Sequence, residues 1–365
     1  MSEPIKILLI CLDGCDPSYI TPSNAPSLEK AMRRGASITC ESMVPTVTNL
    51  NVASILTGEF PSSHGIIGNY YFDESSGSEF YMDSPEFLMC RTLLEKASSK
   101  GRKTLFLAVK EKLRKLFCRG ATTSFSVENP PEPIIRDFGE PPGIYSPDAS
   151  IWLLDLSIKM LDENPYDLAF IVTTDFVSHK FGPKNSEARE YMKKIDDRVK
   201  LLMEKNFIVG VTADHGMSDK SVKIDLEKSL VEKGVWAKVI PAIKDEYIIH
   251  HQNLGGAAYV YTSRDNLKKI SSILSDLEGV EHVIKKEEAS QRYMLPKKRI
   301  GELLVLGDKD SVFGPVEKGL YEDVKLRSHG SLHEREVFFI TNLEVDARQI
   351  KFNKDVFPYL LGKLD

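Results

Sequence analysis

Residues 168–179 read LAFIVTTDFVSH, and two other stretches follow the same logic: ILLICLD at 7–13 and IVGVTADHGM at 208–217. Each is a short apolar run that stops at an aspartate. A run of four to eight apolar residues without alternation is the mark of a strand buried on both faces, as in a parallel sheet. The full set of such runs covers 5–12, 105–109, 168–173, 207–212, 303–306 and 337–340. Between them lie helical patterns at 27–32, 53–56, 91–100, 150–162 and 186–205, the last with Glu190 and Lys194 at i, i+4. Strands alternating with helices predict an α/β fold in three layers, with a mostly parallel sheet covered by helices on both faces.

Two segments break the rhythm. The proline-rich stretch 129–147 reads as an irregular loop or lid, and 257–284 reads strand, helix, strand. The expected organisation is a core made of 1–220 and 301–365, with a small α+β cap at 221–300.

Composition narrows the partners. The 365 residues are 42% hydrophobic and 28% charged, with a formal net charge of −5, so no electrostatic footprint for a nucleic-acid polymer exists. An anionic substrate would need a local positive site instead. No run of 18 apolar residues occurs, and the first apolar run is too short for a signal segment, which predicts a cytoplasmic chain with no membrane partner. The cysteines at 11, 15, 40, 90 and 118 show neither a CxxC spacing nor an even count and read as small core residues. Nothing in the sequence sets the number of chains in an assembly.

The chemistry lies at the strand ends. In open α/β sheets ligands sit outside the carboxyl ends of the strands, so Asp13, Asp175 and Asp214 are expected to converge on one crevice. His179 follows Asp175 at i+4, a chelating spacing if a helical turn follows the strand, and His215 directly follows Asp214. His329, in LRSHG, is a candidate to complete one set. Each residue alone has a plainer role: an aspartate after a strand is often a helix N-cap, and DHG can be a turn. The conjunction favours metal, and carboxylate plus imidazole suits zinc, with manganese or iron also compatible.

A second motif, VPTVTNLNVASILTGEFPSSHGIIGN, spans 44–69. Thr46, Thr48 and Asn49 offer side-chain caps ahead of NVASIL, which predicts a helix start near Thr48. An alcohol at a helix N-terminus beside a metal can ionise and attack phosphorus, so Thr48 is the candidate nucleophile. His64 and Gly65 read as turn residues, and the absence of GxxxxGK excludes a nucleotide P-loop.

With PTVT, TGEFPSSHGIIGN and ADHGM in this order over nearly the whole chain, the sequence resembles the alkaline phosphatase superfamily, in its nucleotide pyrophosphatase/phosphodiesterase branch. The resemblance implies two zinc ions, one held by Asp175, His179 and His329 and the other by Asp13, Thr48, Asp214 and His215. It also implies that Asn69 binds a phosphoryl oxygen. One departure is that Asn49 and Leu50 follow Thr48 where phosphodiesterases usually carry an aromatic–proline pair. GNYYFDESSG, AVKEKLRKLF, TTDFVSHKFGP, EYIIHHQNLGG and LRSHG resemble the phosphonoacetate hydrolases within the superfamily, which implies that Lys110 and Lys112 hold a substrate carboxylate. The plain reading of KEKLRK is a solvated helix start. The resulting expectation is a hydrolase acting on a small anionic phosphorus compound, phosphonoacetate first. The alternative is a phosphodiesterase with Tyr70, Tyr71 and Phe72 lining a base pocket. A non-catalytic metal-binding protein fits less well, because Thr48 is intact.

Overall fold

The computed structural model describes residues 6–363; positions 1–5 and 364–365 of the expected core, with Ile5 of the first expected strand, lie outside the described residues. Among the described residues the centre is a seven-stranded sheet in the order Ser37–Glu41, Glu336–Thr341, Ile208–Thr212, Ile7–Cys11, Leu168–Val172, Thr104–Ala108, Thr123–Ser126. From Ile208–Thr212 across to Thr123–Ser126 the strands are parallel, whereas Glu336–Thr341 runs antiparallel to both neighbours. The apolar runs are explained by burial on both faces: all of Ile7–Cys11 and Leu168–Val172 is inaccessible to solvent.

Helices cover the two faces. Pro26–Arg33, Asp148–Glu163 and Ser186–Met203 pack together, and Asp196 caps the first of them from a distance, accepting from Ser27 N and Leu28 N at 2.9 Å each. Val356–Leu361 packs beside Thr48–Thr57 and sets Phe357 against Phe170, 5.5 Å between ring centroids. The side-chain cap expected for Thr48–Thr57 is not the one used. Val47 is the N-cap and supplies no side-chain acceptor, while Thr46 and Asn49 bond the carbonyls of Ser331 and Met82.

A second, antiparallel sheet has the order Lys238–Pro241, Ala257–Tyr261, Leu303–Gly307, Val280–Lys285. It is buried on both faces in strict alternation: Tyr259, Tyr261, Leu304 and Leu306 join the main core, and Ala258, Val260, Leu303 and Val305 join a separate cluster beneath Leu226–Glu232 and Leu267–Ser275. The run at 303–306 is therefore a strand of this sheet, beyond the 221–300 boundary read for the cap. A third sheet pairs Ser218–Ile224 with Ser311–Phe313 and with Tyr321–Ser328. The proline-rich segment is not wholly irregular either. Glu132–Phe138 is helical within it, with proline in the first turn, where no intrahelical N–H is needed. Among the described residues no helix is long and apolar enough to cross a membrane.

Candidate active site

Cys11, Val172 and Thr212 are in register across three adjacent parallel strands, so the aspartates that follow them leave the sheet side by side. Asp13 N donates to Thr173 Oγ1 (3.0 Å), and Gly14 N and His215 N both donate to Asp214 Oδ1 (3.0 Å each). Gly14 is needed here: its φ is +68°, and a Cβ would sit 2.7 Å from Ser178 Oγ. After Leu168–Val172 the chain enters the short helix Phe176–Lys180, which returns His179 Nε2 to 3.2 Å from Asp175 Oδ2. His329 arrives from the third sheet, where Ser328 pairs with Ser218, and its ring stacks on His215 with centroids 3.7 Å apart. Gly330 permits this approach, since its φ is +117° and a Cβ would lie 2.9 Å from Gly256 N.

Two buried groups result, Asp175–His179–His329 and Asp13–Asp214–His215, each with ligand atoms within 4.8 Å of one another. Their donor set fits divalent metal. The Nδ1 of His179, His215 and His329 faces the carbonyl of Arg327 (2.8 Å), Gly216 (2.9 Å) and Thr46 (2.7 Å) respectively. A carbonyl only accepts, so each Nδ1 carries the proton and each Nε2 presents a lone pair inward. Both oxygens of Asp13 and Oδ2 of Asp214 are buried without a hydrogen-bond donor. Burial, then the neighbouring Asp175 and Asp214, push the Asp13 carboxyl well above its usual range, and burial above all pushes Asp214 up to about 6. Burial and the adjacent His215 and His179 hold His329 well below the usual imidazole value, so it stays neutral. Neutral imidazoles beside crowded carboxylates are what a cation would stabilise.

Thr48 begins its helix at the same edge, with Oγ1 3.2 Å from His215 Nε2. His64 is held apart from both groups: it is fully buried, Ile66 N donates to its Nδ1 (3.1 Å), and its Nε2 lies 2.9 Å from Ser54 Oγ. Burial, with Arg299 nearby, lowers its pKa to about 3, so it is a neutral structural histidine.

The family model of type I phosphodiesterase/nucleotide pyrophosphatase matches residues 7–331, a span that takes in every member of both groups. The chain belongs to the type I phosphodiesterase/nucleotide pyrophosphatase family. Both reactions in the family's name are hydrolyses at phosphorus. Phosphonoacetate hydrolase from Sinorhizobium meliloti 1021, solved with phosphonoformate and with phosphonoacetate, is 31% identical with a TM-score of 0.89, over 99% of this chain and 96% of that one. Among curated relatives, an uncharacterized pyrophosphatase/phosphodiesterase of Schizosaccharomyces pombe is 26% identical over 59% of this chain and 45% of its own length. The bis(5'-adenosyl)-triphosphatase ENPP4 of Pongo abelii is 24% identical over 72% of this chain and 61% of its own length. The chain thus spans about half of these two relatives.

In this member of the phosphodiesterase/pyrophosphatase family the two lysines are not solvated: Lys110 and Lys112 are 3% and 7% exposed. They bond different carboxylates. Lys110 Nζ lies 2.6 Å from Asp175 Oδ1 and 4.0 Å from Asp13 Oδ2. Burial opposes its charge, but the two carboxylates outweigh burial and hold its pKa above normal. Lys112 instead lines a cavity of about 70 Å³ with Asn49, Asn69, Tyr81, Asp245 and Tyr247. Asp245 is the residue that sequence reading missed. Its Oδ2 accepts from Lys112 Nζ at short range and from Asn69 Nδ2 (2.9 Å), and its Oδ1 lies 3.1 Å from His251 Nε2. The signal available was a lone aspartate in PAIKDEYIIHH, with no strand end to mark it.

A buried ion pair braces both histidine loops. Glu334 O accepts from Gly216 N (2.7 Å), its Oε2 accepts from Ser331 N (3.0 Å) and Ser331 Oγ (2.9 Å), and its Oε1 meets Lys220 Nζ at 2.9 Å with both side chains fully buried. Glu334→Ala leaves the Lys220 charge uncompensated, and the expected loss of stability is about 3–5 kcal/mol. Chemical denaturation checks this, and a change under ~1 kcal/mol would show that the pair does not hold the loops.

Proposed function

We propose that this chain is a two-metal hydrolase that attacks a small phosphonate through Thr48, with phosphonoacetate as the leading substrate, giving acetate and phosphate. The observation that carries the reading is the buried Lys112 ammonium in a small polar cavity lined also by Asn69 and by Asn49, the residue after Thr48. Lys112 is paired with Asp245 in this structure, and an anion that took the place of that carboxylate would meet both Lys112 and Asn69 as donors. The cavity is compact, and its charged lining is mixed, Lys112 and Lys115 with Asp83, Asp245 and Glu246. None of the three aromatic residues read for a nucleotide base lines this cavity: Tyr70 packs on Tyr81 at 5.1 Å, Tyr71 on Phe80 at 6.4 Å and Phe72 on Tyr261 at 5.1 Å.

Asp175, His179 and His329 would hold one ion, and Asp13, Asp214, His215 and Thr48 the other, zinc fitting the donors and manganese or iron being compatible. When bound, such ions supply positive charge that favours the ionised Thr48 oxygen and the anionic phosphoryl group. The chain's own groups do the rest. Thr48 Oγ1 forms a bond to phosphorus as the phosphorus–carbon bond breaks, and the electron pair leaves with the acetate carbon, which then takes a proton. The N-terminus of Thr48–Thr57 turns its free N–H groups toward the phosphoryl oxygens, and Asn69 Nδ2 supplies another donor. Lys112 meets the carboxylate, where charge accumulates as the enolate forms. Lys110 is proposed as the clamp's second lysine, and in this structure it is the counter-ion of Asp175. Water then cleaves the phosphothreonine and releases phosphate.

The test is Lys112→Ala. It is expected to lower kcat/KM on phosphonoacetate by about 10- to 100-fold, the worth of one charge-assisted hydrogen bond, and to leave an aryl phosphonate ester nearly unaffected. Equal losses on both substrates would refute the carboxylate role. If neither falls and a dinucleotide diester is the faster substrate, the chain is a phosphodiesterase with Tyr81 and Tyr247 as base-facing walls.

A further inference from the structure

We propose that Asp245 is an internal competitor for the substrate's anionic groups, and that it sets specificity by yielding only to a ligand that carries both a phosphoryl group and a carboxylate. This rests on the roles of Asn69 and Lys112 given above. The single oxygen Oδ2 of Asp245 occupies both of those donors at once. Its other oxygen is tied to its own segment: Oδ1 accepts from Tyr247 N (2.8 Å) and lies 3.1 Å from His251 Nε2, while Asp245 N donates to Asn253 Oδ1 (3.0 Å). The segment itself is tied outward by Tyr247 Oη to Glu128 Oε2 (2.8 Å) and by Lys244 Nζ to Glu79 Oε2 (3.2 Å), so the contacts of Asp245 that can be exchanged are those of Oδ2.

The segment has an anchor, a weak end and room. Asn69 N donates to Ala242 O (3.0 Å), which pins the start of the segment beside the site. At the other end Gln252 and Asn253 adopt φ of 53° and 55°, a left-handed conformation that side-chain-bearing residues hold at a cost. Beside the segment lies a cavity of about 770 Å³ whose walls include Lys244, Gln252 and Asn253. Withdrawal of Asp245 breaks a buried ion pair, which is expensive unless a new anion takes its place. A phosphoryl group alone replaces the contact at Asn69 and leaves Lys112 unpaired. A carboxylate alone does the reverse. A ligand with both groups restores both.

The experiment is calorimetric titration of the zinc-loaded protein, wild type and Asp245→Asn, with phosphonoformate and with methylphosphonate. Removing the competitor is expected to tighten phosphonoformate by about tenfold or more, the scale of one charged hydrogen bond, and methylphosphonate by less. Equal or weaker phosphonoformate binding in the variant overturns the proposal and makes Asp245 an orienting group for Lys112. Wild-type protein supplies an independent check should the variant fail to fold. Amide exchange across 244–253 is expected to speed up when phosphonoformate saturates the site, and slower or unchanged exchange also overturns it. The carboxylate reading of Lys112 fails separately, if Lys112→Ala leaves phosphonoformate affinity untouched.

Discussion

Thr48→Ala is expected to keep its fold and most of its metal while turnover falls by a factor on the order of 10⁴ to 10⁶, the scale of losing a covalent nucleophile. Stability should change little, because Thr48 is the first residue of its helix and not its cap, and among the described residues Oγ1 makes one hydrogen bond, to His215 Nε2 at 3.2 Å. Losing one such hydrogen bond costs about 1 kcal/mol. The covalent route, by contrast, depends wholly on that oxygen. Single-turnover assays on metal-loaded protein, with a melting curve beside them, check both halves. Turnover within tenfold of wild type would remove Thr48 from the mechanism.

The second large effect concerns metal. His179→Ala and His329→Ala are each expected to lose about one equivalent of zinc after dialysis, and the double variant no more than either, because both side chains belong to the same group. His64→Ala should retain the full complement, since both of its ring nitrogens already have protein partners. Elemental analysis decides it, and two full equivalents in either ligand variant would refute the assignment. The two ligand variants differ in one respect. His329 is also the stacking partner of His215, at 3.7 Å, so its loss should lower the melting temperature more than loss of His179, which lies 5.4 Å from His329 and does not stack on it, with the Asp13–Asp214–His215 group keeping its ion in both variants.

Much of this was legible before any coordinates, for a local reason. An apolar run that ends in aspartate states both a strand and the position of a carboxylate, and the parallel register then aligns Asp13, Asp175 and Asp214 without further instruction. What was not legible depends on partners remote in sequence. The run at 337–340 carries no mark of direction, and only pairing reveals that Glu336–Thr341 is antiparallel. Asp245 sits in a loop, so periodicity is silent about it, and its meaning comes from Lys112, 133 positions away in the chain. The side-chain cap expected from Thr46, Thr48 or Asn49 failed because Thr46 Oγ1 accepts from Gly330 N instead, while Thr48 and Asn49 lie inside the helix rather than ahead of it. Side chains at i and i+2 of a helix start do not face the same way, but which carboxylate each lysine meets, Asp175 for Lys110 and Asp245 for Lys112, is set by partners far along the chain.

The arrival of His329 from a late strand gives the two ligand groups different birthdays on the ribosome. Asp13, Asp214 and His215 have all been synthesised once position 215 is reached, but Asp175 and His179 wait for a third partner until 329. At a synthesis rate of roughly 5–20 residues per second, that interval is on the order of ten seconds. A nascent chain released early would carry a complete set of donors for one ion and a carboxylate–imidazole pair for the other. It would also lack the strand Glu336–Thr341, which joins Ser37–Glu41 to the rest of the central sheet. Assembly of the Asp175–His179–His329 group is therefore bound to the closing moves of folding, and a translating chain cannot bring both candidate groups together ahead of the fold that encloses them.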